Sequence, residues 1–478
     1  MTEHGALLDG LRRELGVDAV LTDPGDRASY ETDLLKTRTG RALAVVRPRD
    51  TAGVATTVRR CAEIGLPIVP QGGNTGFCQG ATPPDDGRAI VLSLERLRAI
   101  RSVDPVGSTL VAEAGVTLAE ARAAADRRGL QLAIQHGGLS STVGGNVSTN
   151  AGGSNVLRYG MARAQILGLE VVLADGEIWD GLAPLAKDNA GTDLKQFFIG
   201  TEGTLGIVTA ATLRLFPAAR FSATALVAVR SVEDALALLA RLRSEAGEAL
   251  TAAELIPRAG LDLYFAHAGI RHEPFGGVYP WQVLVELASS SRHFNLDAAL
   301  EEAVGSALEA GEVTDAVQAR SDGQRAALWA LREGLASAQV ATPGNLKNDT
   351  AVPIAAIPQF IARATAAVAE IAPAAVPIPF GHLGDGNIHF NVNPPRGADG
   401  HAFKAHWPAL VTAIDGVATA FGGSIAAEHG LGRTKVAAAA RLKSGLDLDL
   451  MRRLKRTLDP IGRLNPGVML TPDDRGRD

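Results

Sequence analysis

The sequence has few cysteines, little aromatic content and no long apolar run, and these shortages exclude several classes of protein. Only Cys61 and Cys78 occur in 478 residues, which is too few for a disulfide framework or for the ligands of an iron–sulfur cluster. Electron transfer, if the protein carries it out, therefore needs an organic cofactor. The net charge of −5 gives phosphate backbones no broad attraction, so we do not expect nucleic acid as a partner.

Membrane and secretion signals are also missing from the sequence. No stretch reaches the roughly 18 apolar residues of a membrane-spanning helix. The first 17 residues predict a short amphipathic helix with Leu7, Leu11 and Leu15 on one stripe, and they lack the unbroken apolar centre of a signal peptide. We therefore expect a cytoplasmic protein without a transmembrane segment.

The chain is long enough for two or three domains, because a single hydrophobic core stops growing well below 478 residues. Short apolar strands alternate with helices, which predicts the α+β class. One predicted strand ends at Pro217, and a new strand–helix alternation begins at Phe221. We place an N-terminal helical segment at residues 1–37, a first domain at 38–218, a second domain at 219–425 and a C-terminal, mostly helical segment at 426–478.

Two segments of the first domain hold more glycine and small polar residues than tight turns need. The first, Pro70-Gln71-Gly72-Gly73-Asn74-Thr75-Gly76, follows a predicted strand, and its backbone N–H groups can converge on an anion such as phosphate. The second runs from His136 through Gly144-Gly145-Asn146 to Asn150-Ala151-Gly152-Gly153 and can follow an extended ligand. Either segment alone is explained as well by a turn, but the two together favour a nucleotide.

Neither segment is a G-x-G-x-x-G turn that opens a helix, and neither ends in Gly-Lys-Ser/Thr, which disfavours a Rossmann NAD site and a P-loop. Together with Thr201-Glu202-Gly203-Thr204-Leu205-Gly206, they resemble the PCMH-type FAD-binding domain of the vanillyl-alcohol oxidase and p-cresol methylhydroxylase superfamily. The resemblance implies a two-lobed FAD-binding domain at 38–218. Members with covalent flavin commonly carry a histidine in the first loop, where this sequence has Asn74, so we expect FAD to be non-covalent.

The same resemblance implies which residues contact FAD. The first loop would hold the pyrophosphate, the second would line the flavin, and the third would lie near the adenine. A further contact would come from the terminal Leu464-Asn465-Pro466-Gly467, where the tail of family members folds back onto the flavin domain. The implied contacts are Pro70, Gly72, Gly73, Asn74, Thr75, Gly76, Gly144, Gly145, Asn146, Thr149, Asn150, Ala151, Gly152, Glu202, Gly206, Ile207 and Asn465.

The sharpest pattern of the second domain is Phe380-Gly381-His382-Leu383-Gly384-Asp385-Gly386-Asn387-Ile388-His389. If Asp385-Gly386 is a two-residue hairpin loop, His382 lies directly opposite His389, with Cβ atoms about 4.5–5.5 Å apart. A single histidine on a strand is usually structural, but two facing histidines favour a metal ion. Glu428 and His429 add candidates, although Glu428 is also explained as a charge at a helix start, and spacing alone does not choose between the two roles.

The segments His382-x2-Asp385-Gly386-Asn387-x-His389 and Glu428-His429-Gly430 resemble the D-2-hydroxyglutarate and D-lactate dehydrogenase branch of the same superfamily. The resemblance covers nearly the whole chain. It implies an antiparallel-sheet substrate domain with flanking helices and a C-terminal segment that returns to the FAD domain. It also implies residue roles: His382, His389 and Glu428 bind a divalent metal, His429 is the catalytic base, and Arg332, Lys347 and Asn391 bind the substrate. Zinc is the expected metal, with manganese or cobalt as alternatives.

The implied reaction is the oxidation of a small D-2-hydroxy acid, with D-2-hydroxyglutarate as the first expectation and D-lactate or D-malate as alternatives. Ala336 stands where human-type members of the branch have a hydroxyl residue, and residues 345–349 depart from the usual pattern around Lys347. The identity of the preferred D-2-hydroxy acid therefore stays open. The expected electron acceptor is electron-transferring flavoprotein or a quinone, and the sequence leaves a homodimer open.

Three other interpretations are compatible with parts of the pattern. An oxidase of the same fold would pass electrons to oxygen. A metal-dependent hydrolase would bind the nucleotide only incidentally. A non-catalytic flavin-binding protein is disfavoured, because His382, His389, Glu428 and His429 are all present.

Overall fold

The computed structural model describes residues 2–136, 138–269 and 273–471, and the chain divides into two compact units. The first unit contains the chain up to Gly153, Tyr159–Pro217 and the chain from Glu428 onward, whereas the second contains Ser154–Arg158 and Ala218–Ala427. The boundaries expected from the sequence lie after residues 218 and 425.

Two sheets form most of the first unit. The smaller sheet has three parallel strands and one antiparallel edge strand, in the order Val20–Leu21, Ala42–Val46, Ala89–Ser93 and Ile68–Gln71. The larger sheet is antiparallel, in the order Ile100–Asp104, Thr109–Glu113, Ile207–Arg214, Ile166–Val172 and Ile178–Gly181. Phe216–Pro217 pairs with Leu130–Gln131.

The helices of the first unit cover these sheets. The apolar stripe expected near the N-terminus is buried at Leu7 and Leu11, which pack in one core with Val54 and Val58. Because parallel strands need a crossover, the helix with Val54 and Val58 connects two strands of the smaller sheet. The helices are Glu3–Leu15, Pro24–Glu31, Thr51–Glu63, Leu118–Asp126, Val143–Ser148, Ala162–Gln165, Val436–Leu442 and Gly445–Leu458, with Val17–Ala19 and Leu194–Phe197 as 3₁₀ turns; Val156–Tyr159 spans a change of unit.

Residues 432–458, expected to be mostly helical, contain a break between two helices. Lys443 is extended, and Ser444 caps the second helix, since its side chain accepts a hydrogen bond from the backbone N–H of Asp447. The break follows from this cap, because an N-cap residue has non-helical backbone angles.

The second unit is built on one seven-stranded antiparallel sheet. Its strands stand in the order Asp315–Gln318, Phe221–Val229, Trp281–Ser289, Leu250–Pro257, Val376–His382, Asn387–Asn393 and Asp349–Ala351. Alternate side chains of these strands enter two separate cores, as the period of two along a strand requires. Val227, Leu255 and Val285 belong to one core, whereas Leu226, Ile256 and Leu284 belong to the other.

Helices cover both faces of this sheet. The first core is covered by Val232–Ala246, Leu296–Glu309, Ile357–Ile371 and Trp407–Ala420, and the second by Arg258–Ala268 and Asp322–Val340. The remaining short helices are Gly247–Ala249, Ile354–Ala356, Gly400–Phe403 and Lys404–His406. Strand Val376–His382 sends Ile378 and Phe380 into the second core, and period two therefore turns His382 to the same face.

One helical stretch, Ile354–Ile371, has the length and hydropathy of a membrane-spanning helix. No such stretch was expected from the sequence. Ile357, Phe360, Ile361, Ala364 and Val368 of this stretch are buried in the core of the second unit. Packing in a protein core explains its apolar composition.

A buried carboxylate joins three elements of the first unit. Glu170 accepts hydrogen bonds from Thr51 Oγ1 (2.5 Å), Thr209 Oγ1 (2.8 Å) and both terminal nitrogens of Arg101 (3.0 Å each). Burial alone would raise the pKa of Glu170, but these bonds and the charge of Arg101 lower it overall. The ionised form is therefore the one that stabilises the fold.

We predict that Glu170→Gln lowers the free energy of unfolding at pH 7 by about 1–3 kcal/mol. Since the folded pKa of Glu170 lies below the unfolded value of roughly 4.3, the wild type should lose this advantage as the pH falls below that value. Urea titrations between pH 3 and 7 measure the difference. Exposed Glu177, in the neighbouring turn, provides the control Glu177→Gln, and a constant gap between Glu170→Gln and wild type at all pH values would contradict the prediction.

Candidate functional site

The first glycine segment forms a tight loop at the end of strand Ile68–Gln71. An added Cβ would lie 2.5 Å from Thr142 Oγ1 at Gly72 and 2.8 Å from Ser140 O at Gly73. Asn74 has a left-handed backbone (φ 53°), and its Nδ2 donates to the carbonyls of Ser29 (3.3 Å) and Thr32 (2.9 Å). The glycines are therefore needed for the close approach of this loop to the second segment.

The second segment, described apart from Gly137, contains the short helix Val143–Ser148. The side chain of Asn146 is engaged within the segment: its Oδ1 is 2.7 Å from His136 Nε2, and its Nδ2 donates to Ser141 Oγ (3.0 Å) and Thr142 O (2.9 Å). Thr149 Oγ1 donates to Gly145 O at 2.9 Å. Asn150 is left-handed (φ 50°) and accepts a hydrogen bond from the backbone N–H of Arg163. These side chains shape the loop and leave its backbone to face a ligand.

Unpaired polar atoms show that the first unit fits FAD. Thr142 stands before the helix Val143–Ser148 without capping it, and its Oγ1 is buried with no hydrogen-bond partner among the described residues. Asn465 Oδ1 is likewise buried and unpaired within the described chain, while its Nδ2 donates to Gly80 O (2.9 Å) and Glu202 O (2.7 Å). Buried polar atoms without a partner are rare in native proteins and suit a polar ligand. Gly76 also has open space around its Cα, since an added Cβ would meet nothing within 4 Å.

Glu202 is engaged with the protein itself. Its carboxylate accepts hydrogen bonds from the backbone N–H of Leu431 (2.9 Å) and of Gly432 (3.0 and 3.1 Å), and burial raises its pKa. A contact between Glu202 and the adenine stays a prediction. For the neighbouring Gly206, packing explains the glycine, because an added Cβ would lie 2.6 Å from Val171 Cγ1. Ile207 is buried in a core.

The segment that contains Glu428 and His429 is held by other parts of the first unit. Besides the bonds to Glu202, the Sγ of Cys78 donates to Gly430 O at 3.3 Å, and the ring of Phe77 lies 4.9 Å from that of His429. Sequence reasoning missed Phe77 and Cys78, although both directly follow the first glycine loop. The predicted base therefore belongs to the unit that carries the FAD loops.

In the second unit, His382 and His389 share one face of the sheet but are not directly opposite, so the expected two-residue loop was wrong. His382 pairs with Asn387, and His389 pairs with Phe380. The connection is longer than two residues because Gly386 takes a left-handed turn (φ 87°) and Asp385 Oδ1 accepts the backbone N–H of Asn387. The register shift is an even number of residues, so both imidazoles keep the same face, with ring centroids 5.7 Å apart.

Two carboxylates missed by sequence reasoning lie beside these histidines. Glu254 Oε1 is 2.6 Å from His382 Nδ1, and its Oε2 accepts a hydrogen bond from Arg332 Nε at 2.7 Å. Asp349 Oδ1 is 3.4 Å from His389 Nδ1. Arg332 is buried and stacks on Phe380, with Cζ 4.8 Å from the ring centroid. Arg332 is thus a buried site residue and not the surface ion pair that helical spacing alone would suggest.

The other predicted substrate contacts lie along the same part of the second unit. Asn391 is buried, its Nδ2 donates to Gln339 Oε1 (2.6 Å), and its Oδ1 accepts the backbone N–H of Asn348 (2.9 Å). Its amide therefore already has two protein partners. Lys347 is exposed as a residue, although partial desolvation of its ammonium group lowers its pKa. Substrate binding by Asn391 and Lys347 stays a prediction.

Comparisons with known proteins agree with this architecture. Residues 42–181 match the family model of an FAD binding domain, and residues 218–469 match that of the C-terminal domain of FAD linked oxidases. The chain therefore belongs to the FAD-linked oxidase family, and it is an enzyme, an FAD-dependent oxidoreductase that acts on CH–OH donors.

The chain is also similar to individual relatives and to solved structures. The chain is similar to a D-2-hydroxyglutarate dehydrogenase of Xanthomonas citri (35% identity over 95% of this chain and 94% of the relative). It is also similar to the mitochondrial D-2-hydroxyglutarate dehydrogenase of Bos taurus (36%, over 94% and 81%). The fold resembles that of p-cresol methylhydroxylase, with a TM-score of 0.76 at 17% identity over 97% of this chain and 96% of that structure. The expected α+β class and superfamily are confirmed.

We predict that Gly76→Ala weakens FAD binding about tenfold or more while the stability of the apoprotein changes by less than about 0.5 kcal/mol. The reason is that the new methyl group meets no protein atom within 4 Å, so it leaves the apoprotein unstrained and would take up space in the loop predicted to hold the FAD pyrophosphate. Fluorescence titration of the apoprotein with FAD measures the affinity, and thermal unfolding measures the stability. Gly276, equally open and also without a left-handed backbone, supplies the control Gly276→Ala; unchanged FAD affinity in Gly76→Ala would contradict the assignment.

Proposed function

We propose that the protein is an FAD- and metal-dependent D-2-hydroxy acid dehydrogenase that oxidises D-2-hydroxyglutarate to 2-oxoglutarate. The observation that carries the proposal is the buried set Arg332, Glu254 and His382 in the second unit. The side chain of Glu254 contacts both the guanidinium of Arg332, which is suited to bind a carboxylate, and the imidazole of His382, which is suited to bind a metal. The relatives named D-2-hydroxyglutarate dehydrogenase support the choice of substrate.

For the metal, we propose His382, His389 and Glu428 as ligands. Two imidazoles and one carboxylate leave coordination positions open, as a catalytic zinc site requires, and manganese or cobalt accept the same donors. The fit rests on the donor chemistry and on the two histidines, each of which has its Nδ1 beside a carboxylate and so presents the other nitrogen.

When bound by the glycine loops of the first unit, FAD would supply an acceptor for the hydride of C2, and a metal held by His382, His389 and Glu428 would supply a Lewis acid for the substrate hydroxyl. His429 takes the hydroxyl proton as general base. Arg332 holds a substrate carboxylate through its two terminal nitrogens, for which the described residues provide no hydrogen bond, while its Nε stays on Glu254. Lys347 adds positive charge for the second carboxylate.

The electron acceptor we propose is electron-transferring flavoprotein or a quinone. A small 2-hydroxy acid reduces the enzyme, and a second partner must therefore reoxidise it. Location in the cytoplasm and assembly into a homodimer stay predictions from the sequence.

One alternative substrate has a specific observation in its favour. A mitochondrial protein of Schizosaccharomyces pombe that is provisionally named a D-lactate dehydrogenase is 33% identical over 97% of this chain and 87% of its own length. D-Lactate lacks the distal carboxylate of D-2-hydroxyglutarate. It therefore offers one carboxylate, and not two, to Arg332 and Lys347.

We predict that anaerobic addition of D-2-hydroxyglutarate bleaches the yellow purified protein, whereas L-2-hydroxyglutarate does not. D-Malate and D-lactate, added separately, should bleach it more slowly, since neither places a distal carboxylate at the same distance. The absorbance near the flavin maximum reports the reduction. Bleaching by D-lactate alone would replace the proposed substrate. Stoichiometric peroxide release in air would indicate an oxidase, and protein that stays colourless with added FAD would reject flavin chemistry in favour of a hydrolase.

We predict that Arg332→Lys lowers kcat/KM for D-2-hydroxyglutarate about 100-fold and lowers that for D-lactate by less than about tenfold, because lysine keeps the charge but loses the two-nitrogen fork. Steady-state kinetics with an artificial electron acceptor measure both values. Arg325 lies two turns earlier on the same helix and pairs with Glu286, so Arg325→Lys is the matched control. An unchanged kcat/KM in Arg332→Lys would contradict the assignment.

A further inference from the structure

A row of two histidines flanked by two carboxylates crosses four neighbouring strands of the second unit. The strands are Leu250–Pro257, Val376–His382, Asn387–Asn393 and Asp349–Ala351, in this order. Glu254 pairs in register with His382, and Asp349 pairs in register with His389. Because directly paired residues point to the same face, each histidine has one carboxylate as its cross-strand neighbour.

Glu254 is a carboxylate of this row that has partners on two different elements of the second unit. It is 1% exposed and contacts the side chains of His382 and Arg332. Its Oε1 lies 2.6 Å from His382 Nδ1, and its Oε2 accepts a hydrogen bond from Arg332 Nε at 2.7 Å. Each of its two oxygens therefore has a different partner.

The carboxylates select one tautomer of each imidazole. A histidine whose Nδ1–H donates to an ionised carboxylate presents the lone pair of Nε2, which is the arrangement that metal ligands commonly show. Glu254 imposes it on His382 through a contact of 2.6 Å. Asp349, itself fixed by a hydrogen bond from Asn387 Nδ2 at 2.9 Å, lies 3.4 Å from His389 Nδ1 and favours the same tautomer there.

Glu254 has a second task that Asp349 lacks. Its Oε2 anchors the Nε of Arg332, whose guanidinium also stacks on Phe380. This anchor fixes the plane of the guanidinium and thus the direction of its two remaining nitrogens. Among the described residues, Arg332 does not contact Asp349.

We propose that Glu254 is a shared positioning residue, which holds both the metal-binding tautomer of His382 and the orientation of Arg332 for a substrate carboxylate, whereas Asp349 lies beside the metal histidine His389 and does not orient Arg332. The inference rests on the proposed metal-dependent function. It couples affinity for the metal to affinity for a dicarboxylate through a single buried carboxylate.

The test compares Glu254→Gln with Asp349→Asn in the full-length, FAD-loaded protein after removal of metal by a chelator. Zinc affinity is measured by competition with a chromogenic chelator, and 2-oxoglutarate affinity is measured from the flavin difference spectrum at saturating zinc. An amide can turn its NH₂ toward Nδ1 and favour the wrong tautomer, so both variants should bind zinc 10- to 100-fold more weakly. Only Glu254→Gln should also bind 2-oxoglutarate about tenfold more weakly once zinc is saturating.

Two further variants keep the result interpretable. Glu286 is a buried carboxylate of the same sheet that pairs with Arg325 at 2.8 Å, so Glu286→Gln controls for the loss of a buried ion pair and should leave both affinities unchanged. If Glu254→Gln does not fold, Glu254→Asp keeps the charge but is too short to reach both partners, and it should weaken both affinities to a smaller extent.

The outcomes separate this proposal from the proposed function. If the wild type binds zinc and 2-oxoglutarate but Glu254→Gln changes only one affinity or neither, Glu254 is not shared and the inference is overturned while the function stands. If the wild type binds no divalent metal, the metal-dependent function fails, and the inference fails with it. Equal losses of 2-oxoglutarate affinity in Glu254→Gln and Asp349→Asn would overturn the distinction between the two carboxylates.

Discussion

Glu254 is a carboxylate in the middle of the sheet of the second unit, and it is only 1% exposed. A carboxylate buried in this way must be paired with cations or hydrogen-bond donors. An isolated buried charge would cost several kcal/mol, which only close cations and hydrogen bonds can offset. The strand register supplies His382 from the neighbouring strand, and the helix Asp322–Val340 supplies Arg332 from above the sheet. Fold and site therefore depend on the same contacts, because the helix must dock where Arg332 reaches Glu254.

In the first unit, the predicted cofactor loops depend more on backbone conformation than on buried charge. Asn74, Asn150, Glu202 and Asn465 all have left-handed backbones, and each lies in a segment that the family resemblance connects with FAD. Such conformations cost about 1 kcal/mol or more for residues other than glycine and persist only where surrounding contacts hold them. Here the side chains of these residues bond to other parts of the protein, which holds the backbone in these conformations.

Several elements could be predicted because they depend on residues close together in the chain. Thr117 and Glu120 form a capping box, a pattern contained in four adjacent residues, and the strand Phe221–Val229 begins at the residue where a new strand was expected. The shared face of His382 and His389 was also correct, because side chains alternate along any strand. Their register was wrong because the length of the loop depends on the left-handed turn at Gly386 and on the hydrogen bond of Asp385.

The sequence by itself determined the kinds of chemistry available: glycine loops suited to a dinucleotide, a histidine pair on one face of a sheet, and an arginine within a helix. Only the tertiary structure decided which side chains accompany them. Glu254 and Asp349 stand 128 and 40 positions before their histidines, and no local pattern distinguishes them from surface acids. The physical reason is that hydrophobic periodicity depends on residues that are close together in the chain. Cross-strand partners are instead fixed by strand register and by the burial of charge, and both of these exist only in the folded chain.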